Sequence, residues 1–228
     1  MRLIFIRHPE STKNINGHFS SYENTEPLTD LGWSQVNLIK LEIQNLLNNG
    51  FIKNPIALYS ATSMRSIALA KELASICETK INKQVCLNSI GSGAVTGLNK
   101  EQMDKVIPGY FHEIELYESG ISNAYTINHP GEAPASFEKK ISFFLQKLET
   151  SDIGTAIIIG HKSALTAIFI NYARRKKCYP NDFYGYIPFD NASFSVVEID
   201  KNDINIIGVN KSVEEFDLLL KKCDYNNQ

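Results

Sequence analysis

Two short apolar runs in this chain end in a histidine. Leu3-Ile4-Phe5-Ile6 leads straight into Arg7-His8, and Ala156-Ile157-Ile158-Ile159-Gly160 leads into His161-Lys162. A third run, residues 56–59, passes through Ser60-Ala61-Thr62-Ser63-Met64 to Arg65. If these runs are parallel neighbouring strands, two histidines and two arginines meet at the end of a sheet where open α/β folds place their ligands. The chemistry that suits such a group is phosphoryl transfer. A neutral imidazole, with a reference pKa of about 6.5, is a good nucleophile near neutral pH. Guanidinium forks match phosphate oxygens bidentately. A second histidine can donate to oxygens on which charge spreads in the transition state, and Asn14, in the loop after the first run, adds another donor. A lone histidine at a strand end is usually structural and a lone arginine usually a surface charge. The specificity lies in the combination.

The elements that must position these residues follow from periodicity. Strands are expected at 2–6, 56–59, 155–159, 193–199 and 204–209; in the third, Ala156-Ile157-Ile158-Ile159 is apolar throughout, as a strand covered on both faces should be. Helical spacing appears in Val36, Ile39, Ile43 and Leu46, opened by Thr29-Asp30 and closed near Gly50. It recurs in Leu69, Leu73 and Ile76, with Thr62 or Ser63 as cap, and in Phe137, Ile141, Phe144, Leu145 and Leu148. Leu165, Ile168 and Tyr172 mark a fourth helix, and Val213, Phe216 and Leu220 a terminal one. Alternating strands and helices predict an α/β fold, a three-layer αβα sandwich. The short link at 200–203 makes the last two strands a hairpin, so the mostly parallel sheet is mixed. The whole chain, 1–228, reads as one domain, with an irregular insertion at 91–128 over the site.

Bulk properties narrow the classes. With 228 residues the chain can bury one large core. A net charge of −2 gives no sign of a nucleic-acid partner. No apolar run reaches membrane-spanning length and no secretory signal opens the chain, so the cytoplasm is the expected compartment. Cys77, Cys86, Cys178 and Cys223 include no metal-ligand spacing and read as free thiols. The cluster Arg174-Arg175-Lys176-Lys177 reads as a solvated helix end. Oligomeric state is left open. Gly91-Ser92-Gly93-Ala94-Val95-Thr96-Gly97 has glycine spacing like that of a dinucleotide loop, a weak signal without a preceding strand and a long following helix.

Arg7-His8-Pro9-Glu10-Ser11-Thr12-Lys13-Asn14 resembles the RHGExxxN signature of the histidine phosphatase superfamily, in its phosphoglycerate-mutase-like branch. Pro27-Leu28-Thr29-Asp30-Leu31-Gly32-Trp33-Ser34-Gln35 is similar to that family's PLTxxGxxQ segment, and Tyr59-Ser60-Ala61-Thr62-Ser63-Met64-Arg65-Ser66 to its SSxxxRxxxTA segment. His129-Pro130-Gly131-Glu132, Ile159-Gly160-His161 and Asp190-Asn191-Ala192-Ser193 match later motifs in the family's order. The resemblance implies a phosphatase with a covalent phosphohistidine mechanism. His8 attacks phosphorus, while Arg7, Asn14, Arg65 and His161 hold the phosphoryl group of a small phosphorylated substrate. It implies no metal and no cofactor.

The chain departs from the family where the family keeps its proton donor. In Leu87-Asn88-Ser89-Ile90-Gly91, Ser89 stands where a Glu is expected, and a serine hydroxyl is a very poor general acid near neutral pH. Lys162, not an Asp, follows His161. Another carboxyl therefore substitutes (Glu132, Glu10 and Glu23 are nearest by motif), or the leaving group is good enough to need none, as in an acyl phosphate. The alternatives to a phosphatase are a weak or inactive phospholigand-binding pseudoenzyme and a phosphomutase. Glu132 and Lys162 are expected to contact substrate. Pro9 replaces the motif's glycine and removes a backbone donor. His18 or Phe19 falls where many mutases have a substrate-binding Arg.

Overall fold

Ile4 and Ile6 face one side of the first strand and Leu3 and Phe5 the other, all fully buried. That alternation on a strand with no polar face forces cover on both sides. The computed structural model describes residues 1–16, 25–182, 184–201 and 203–225, with side chains to residue 219. His18, Phe19 and Glu23 lie outside the described residues, as do the side chains of Leu220 and Cys223.

The strands are β1 (Arg2–Arg7), β2 (Ile56–Ser60), β3 (Ile81–Lys83), β4 (Thr155–Gly160), β5 (Phe194–Asp200) and β6 (Asp203–Lys211), in the order β3-β2-β4-β1-β5-β6. β1, β2, β3 and β4 run parallel; β5 is antiparallel to β1 and forms the expected hairpin with β6. β3 was not expected from the sequence. It is a three-residue edge strand with only one partly buried side chain, too short to carry a pattern.

The helices are α1 (Thr12–Asn16), α2 (Asp30–Asn48), α3 (Met64–Ile76), α4 (Lys100–Val106), α5 (Tyr110–Glu118), α6 (Pro134–Glu149), α7 (Lys162–Arg175) and α8 (Val213–Tyr225). Apolar side chains of α2, α3 and α8 close one face of the sheet with Ile4, Ile6, Ile157 and Ile159. Those of α6 and α7 close the other with Phe5, Ala156 and Ile158. Each fully buried Ile, Leu or Phe contributes roughly 1.5–3 kcal/mol, so stability rests in these two layers and not in the polar strand ends. The end of α7 carries the basic cluster, where Arg174 pairs with Glu138 at 2.9 Å and Arg175 with Glu149 at 2.7 Å.

The segment 91–128 is not irregular. It forms α4 and α5 over a small core of its own, Val95, Met103, Tyr110 and Ile127. α4 opens with a capping box between Asn99 and Gln102. The glycine-rich stretch at its start opens no long helix, but only a single turn, Gly93–Val95. Its glycines serve close packing: Gly93 has φ +59°, and a Cβ there would stand 2.5 Å from the Pro130 carbonyl oxygen.

Candidate active site

β1 and β4 end level, with Arg7 paired to Gly160 across the ladder, and β2 ends beside β4 with Ser60 opposite Ile159. The chain leaving each strand therefore starts from one edge. The His8 amide donates to the Gly160 carbonyl (3.1 Å) and the His161 amide to that of Leu87 (3.0 Å). The two imidazoles lie with centroids 4.6 Å apart, 3% and 1% exposed.

The loop carrying His8 is braced by the start of α2. Thr29 caps that helix by accepting from the Gly32 amide at 3.0 Å, and its hydroxyl donates to a Glu10 carboxylate oxygen at 2.8 Å. The Gln35 side-chain oxygen accepts from the Glu10 amide at 2.8 Å. A Cβ on Gly32 would stand 2.0 Å from the Glu10 carbonyl oxygen, so only glycine permits this approach. The Thr29, Gly32 and Gln35 pattern is thus a clamp on the loop after β1.

His8 Nδ1 lies 2.8 Å from the Pro9 carbonyl oxygen. A carbonyl only accepts, so Nδ1 carries the proton and Nε2 keeps its lone pair. Arg65 Nε donates toward that Nε2 at 3.3 Å. Arg65, 1% exposed, also reaches His161 Nδ1 at 3.2 Å through Nη2 and pairs with Glu26 at 2.8 Å through Nη1. A guanidinium only donates, so His161 Nδ1 accepts and its Nε2–H faces the Ser63 hydroxyl at 2.9 Å. Ser63 in turn lies 2.9 Å from Ser66 Oγ. Ser63 occupies the N-cap position of α3, as expected, but its hydroxyl makes no cap bond; it serves the second histidine instead.

Burial first, and then the charges of Arg65 and Arg7, push the His8 pKa well below its ordinary 6.5. Burial, His8 and Arg65 do the same to His161. Both rings are neutral at pH 7. Arg7 is depressed mainly by burial, with Asp190 opposing, yet a guanidinium stays charged. It donates to the Phe189 carbonyl, while its buried Nε has no hydrogen-bond partner among the described residues. Asn14 Oδ1 accepts from the Ser11 amide and hydroxyl at 3.0 and 2.9 Å, which leaves its NH₂ as a donor.

Arg7, His8, Asn14, Arg65 and His161 line the floor of one cleft of about 420 Å³. Lys162 lines it too, held between a Glu118 carboxylate oxygen at 3.1 Å and the Tyr186 hydroxyl at 3.2 Å. Of the seven residues expected at the site, Glu132 alone is not among the lining ones. Its carboxylate pairs with Lys140 at 2.5 Å and its backbone packs on Gly91, so the His-Pro-Gly-Glu turn directs it away from the cleft. Glu10 is likewise engaged with Thr29. Ser89 does face the site, with its hydroxyl 3.0 Å from His161 Nδ1.

Four features were not foreseen. Glu26 is the carboxylate that balances Arg65, and Ser63 orients His161. Tyr110, Phe111, Tyr117, Ile127 and Tyr186 form an aromatic and apolar outer wall, supplied mainly by the 91–128 segment. Lys13 lines the floor, and its signal was available: it precedes Asn14 in the motif that delivers Asn14 to the same place. Arg7, Lys13, Arg65 and Lys162 around two buried imidazoles outnumber the carboxylates beside them, Glu26 and Glu118, and such an excess of cations suits a dianionic phosphoryl group.

Comparison with known proteins bears on the family and the fold. The family described as histidine phosphatase superfamily (branch 1) matches residues 3–212. A Hydrogenobacter thermophilus protein named "Putative phosphoserine phosphatase 2" is 25% identical over 171 residues, 73% of this chain and 76% of that one. Among solved structures, a mycobacterial glucosyl-3-phosphoglycerate phosphatase complexed with VO3 superposes with a TM-score of 0.71 at 17% identity, covering 92% of this chain and 99% of its own. The alpha-ribazole phosphatase of Shigella flexneri gives 0.71 at 20% identity, over 92% and 96%. A phosphoserine phosphatase mutant from Entamoeba histolytica in complex with phosphoserine gives 0.67 at 17%, over 94% and 98%. At these identities the structural likeness is one of fold.

Proposed function

This chain belongs to the histidine phosphatase superfamily, branch 1, and we propose that it hydrolyses a small phosphorylated metabolite through a phosphohistidine on His8. The observation that carries this reading is the 2.8 Å bond from His8 Nδ1 to the Pro9 carbonyl. It fixes the tautomer that leaves Nε2 as an unprotonated nucleophile beside Arg65. His8 Nε2 attacks phosphorus and the ester P–O bond breaks. Arg7, Arg65 and the Asn14 NH₂ take the three equatorial oxygens as charge spreads over them. The Ser63 hydroxyl can accept from or donate to His161 Nε2, so His161 can turn over its tautomer and offer Nδ1–H to the phosphoryl group. Water then cleaves the phosphohistidine.

The outer wall bears on the substrate. Tyr110, Phe111, Tyr117 and Tyr186 favour an organic part with an apolar face lying against the 91–128 segment. The site also supports its alternatives. A binding pseudoenzyme would use the same donors without turnover, and a phosphomutase would pass the phosphoryl group to an acceptor hydroxyl.

The test is phosphate release over a panel of monoesters and acyl phosphates, with His8→Ala as control. Release by the wild type that disappears in the variant is the expected result, with the fold kept because His8 sits at a strand end outside the core. Release that survives in His8→Ala removes the mechanism. No release with any substrate, together with tight phosphate binding, favours the pseudoenzyme.

A further inference from the structure

We infer that Lys13 is the proton donor to the leaving oxygen, in place of the carboxylic acid that Ser89 cannot replace; this rests on the phosphatase reading above. Among the described residues, the cleft holds one carboxylate, Glu118, and that is paired with Lys162. Glu26 is paired with Arg65, Glu10 with Thr29, and Glu132 with Lys140 outside the cleft. His129 lines the cleft too, but its ring packs edge-on against Tyr110 at 6.2 Å, and the one charge acting on it is that of Glu132, none from Arg7, Arg65 or Lys13.

Lys13 differs from all of these. It lies on α1, directly before Asn14 and five residues after His8, and lines the floor of the cleft. Among the described residues its ammonium makes no hydrogen bond and no ion pair, whereas Arg65 and Lys162 are both held by carboxylates. The groups acting on it come from every side of the floor: Arg7 from the end of β1, Arg65 from α3, Glu26 from the segment before α2 and Lys162 from α7. Lys13 acts in turn on both imidazoles. Burial, then Arg65 and Arg7, lower its pKa from 10.5 to about 8, while Glu26 opposes. An ammonium in that range both gives up a proton and takes one back near neutral pH.

The cycle balances. As the His8 Nε2–P bond forms and the ester P–O bond breaks, a Lys13 N–H proton passes to the departing alkoxide, which leaves as the alcohol. The neutral amine then takes a proton from the water that attacks the phosphohistidine. Phosphate leaves, His8 Nε2 recovers its lone pair and Lys13 is again an ammonium.

The test compares kcat/KM on an alkyl phosphate and on 4-nitrophenyl phosphate, whose phenol leaves without help, for wild type, Lys13→Met and Lys13→Arg. Arg keeps the charge but does not release a proton in this pH range. Both variants should lose about 100-fold or more on the alkyl ester, and roughly 10-fold or less on the aryl ester. Lys13→Arg should keep its affinity for inorganic phosphate, which also shows that it is folded. Equal losses on both esters, or full alkyl activity in Lys13→Arg, make Lys13 a phosphate-binding charge only and overturn the assignment. So does a leaving-group-dependent loss in Glu23→Gln with none in Lys13→Met. Wild-type protein that releases phosphate from neither ester sinks the phosphatase reading itself, an outcome distinct from these.

Discussion

Replacing Lys13 with methionine should make the protein more stable at neutral pH, because the native state holds an ammonium where water would hold it better. The depression from 10.5 to about 8 corresponds to about 3 kcal/mol at ~1.4 kcal/mol per tenfold change in proton affinity. Lys13 is partly exposed, and solvent screening reduces the figure to roughly 2 kcal/mol. Methionine keeps the apolar stem, so little packing is lost. The sign follows from proton counts. Between about pH 8 and 10.5 the unfolded chain binds the proton and the native state does not, so wild-type stability contributed by this group rises with pH across that window. Lys13→Met removes the dependence. The variant should therefore melt about 4–8 °C above wild type at pH 7, and the gap should close by about pH 10.5. Thermal or urea unfolding of both proteins at a series of pH values measures this. Inorganic phosphate should stabilise wild type more than the variant, because the bound anion relieves the same strain. Equal stability at pH 7, or a gap that does not change with pH, would refute the electrostatic account of Lys13.

Three further outcomes are expected. Arg65→Met removes the cation shared by both histidines and strands Glu26; phosphate affinity by calorimetry should fall by roughly 10- to 150-fold, from about 1.5–3 kcal/mol per charged hydrogen bond, and unchanged affinity would mean that Arg65 does not touch the anion. Ser89→Glu brings a carboxyl to the position now 3.0 Å from His161 Nδ1, so the His161 pKa should rise, read by NMR titration, and alkyl phosphate turnover with it; a silent variant would leave the Ser89 departure without consequence for the acid. His8 and His161 are both depressed below 6.5, so their contribution to stability is complete above about pH 6.5 and is lost as pH falls below it. Acid unfolding of His8→Gln and His161→Gln should accordingly begin at lower pH than that of wild type.

Local pattern determined much of this protein. Leu3 to Ile6 and Ala156 to Ile159 are apolar on both faces, so they had to become covered strands, and whatever follows such a strand stands at its end. That is why Arg7, His8 and His161 were legible as a site before any strand order was known. The short link at 200–203 settled the β5–β6 hairpin for the same local reason. The Asn99 and Gln102 box that opens α4 was also present in the sequence, but two short helices with little apolar periodicity read as irregular. Their stability comes from Met103, Tyr110 and Ile127 packing on one another.

Only the tertiary structure decided which polar groups became partners, since a hydroxyl or carboxylate is compatible with many neighbours and its sequence position names none. Ser63 had the place of a helix cap, yet its hydroxyl turns to His161, ninety-eight residues away. Glu132 had the motif position of a substrate contact, yet the close approach of the Gly91–Gly93 and Pro130–Gly131 backbones sends it to Lys140. Lys13 stood in the motif beside Asn14 with no role assigned to it. Burial beside two arginines, with no carboxylate paired to it among the described residues, is a property of the assembled cleft. Desolvation and the distances between charges exist only once segments far apart in the chain have met, and those two quantities set the chemistry of the site.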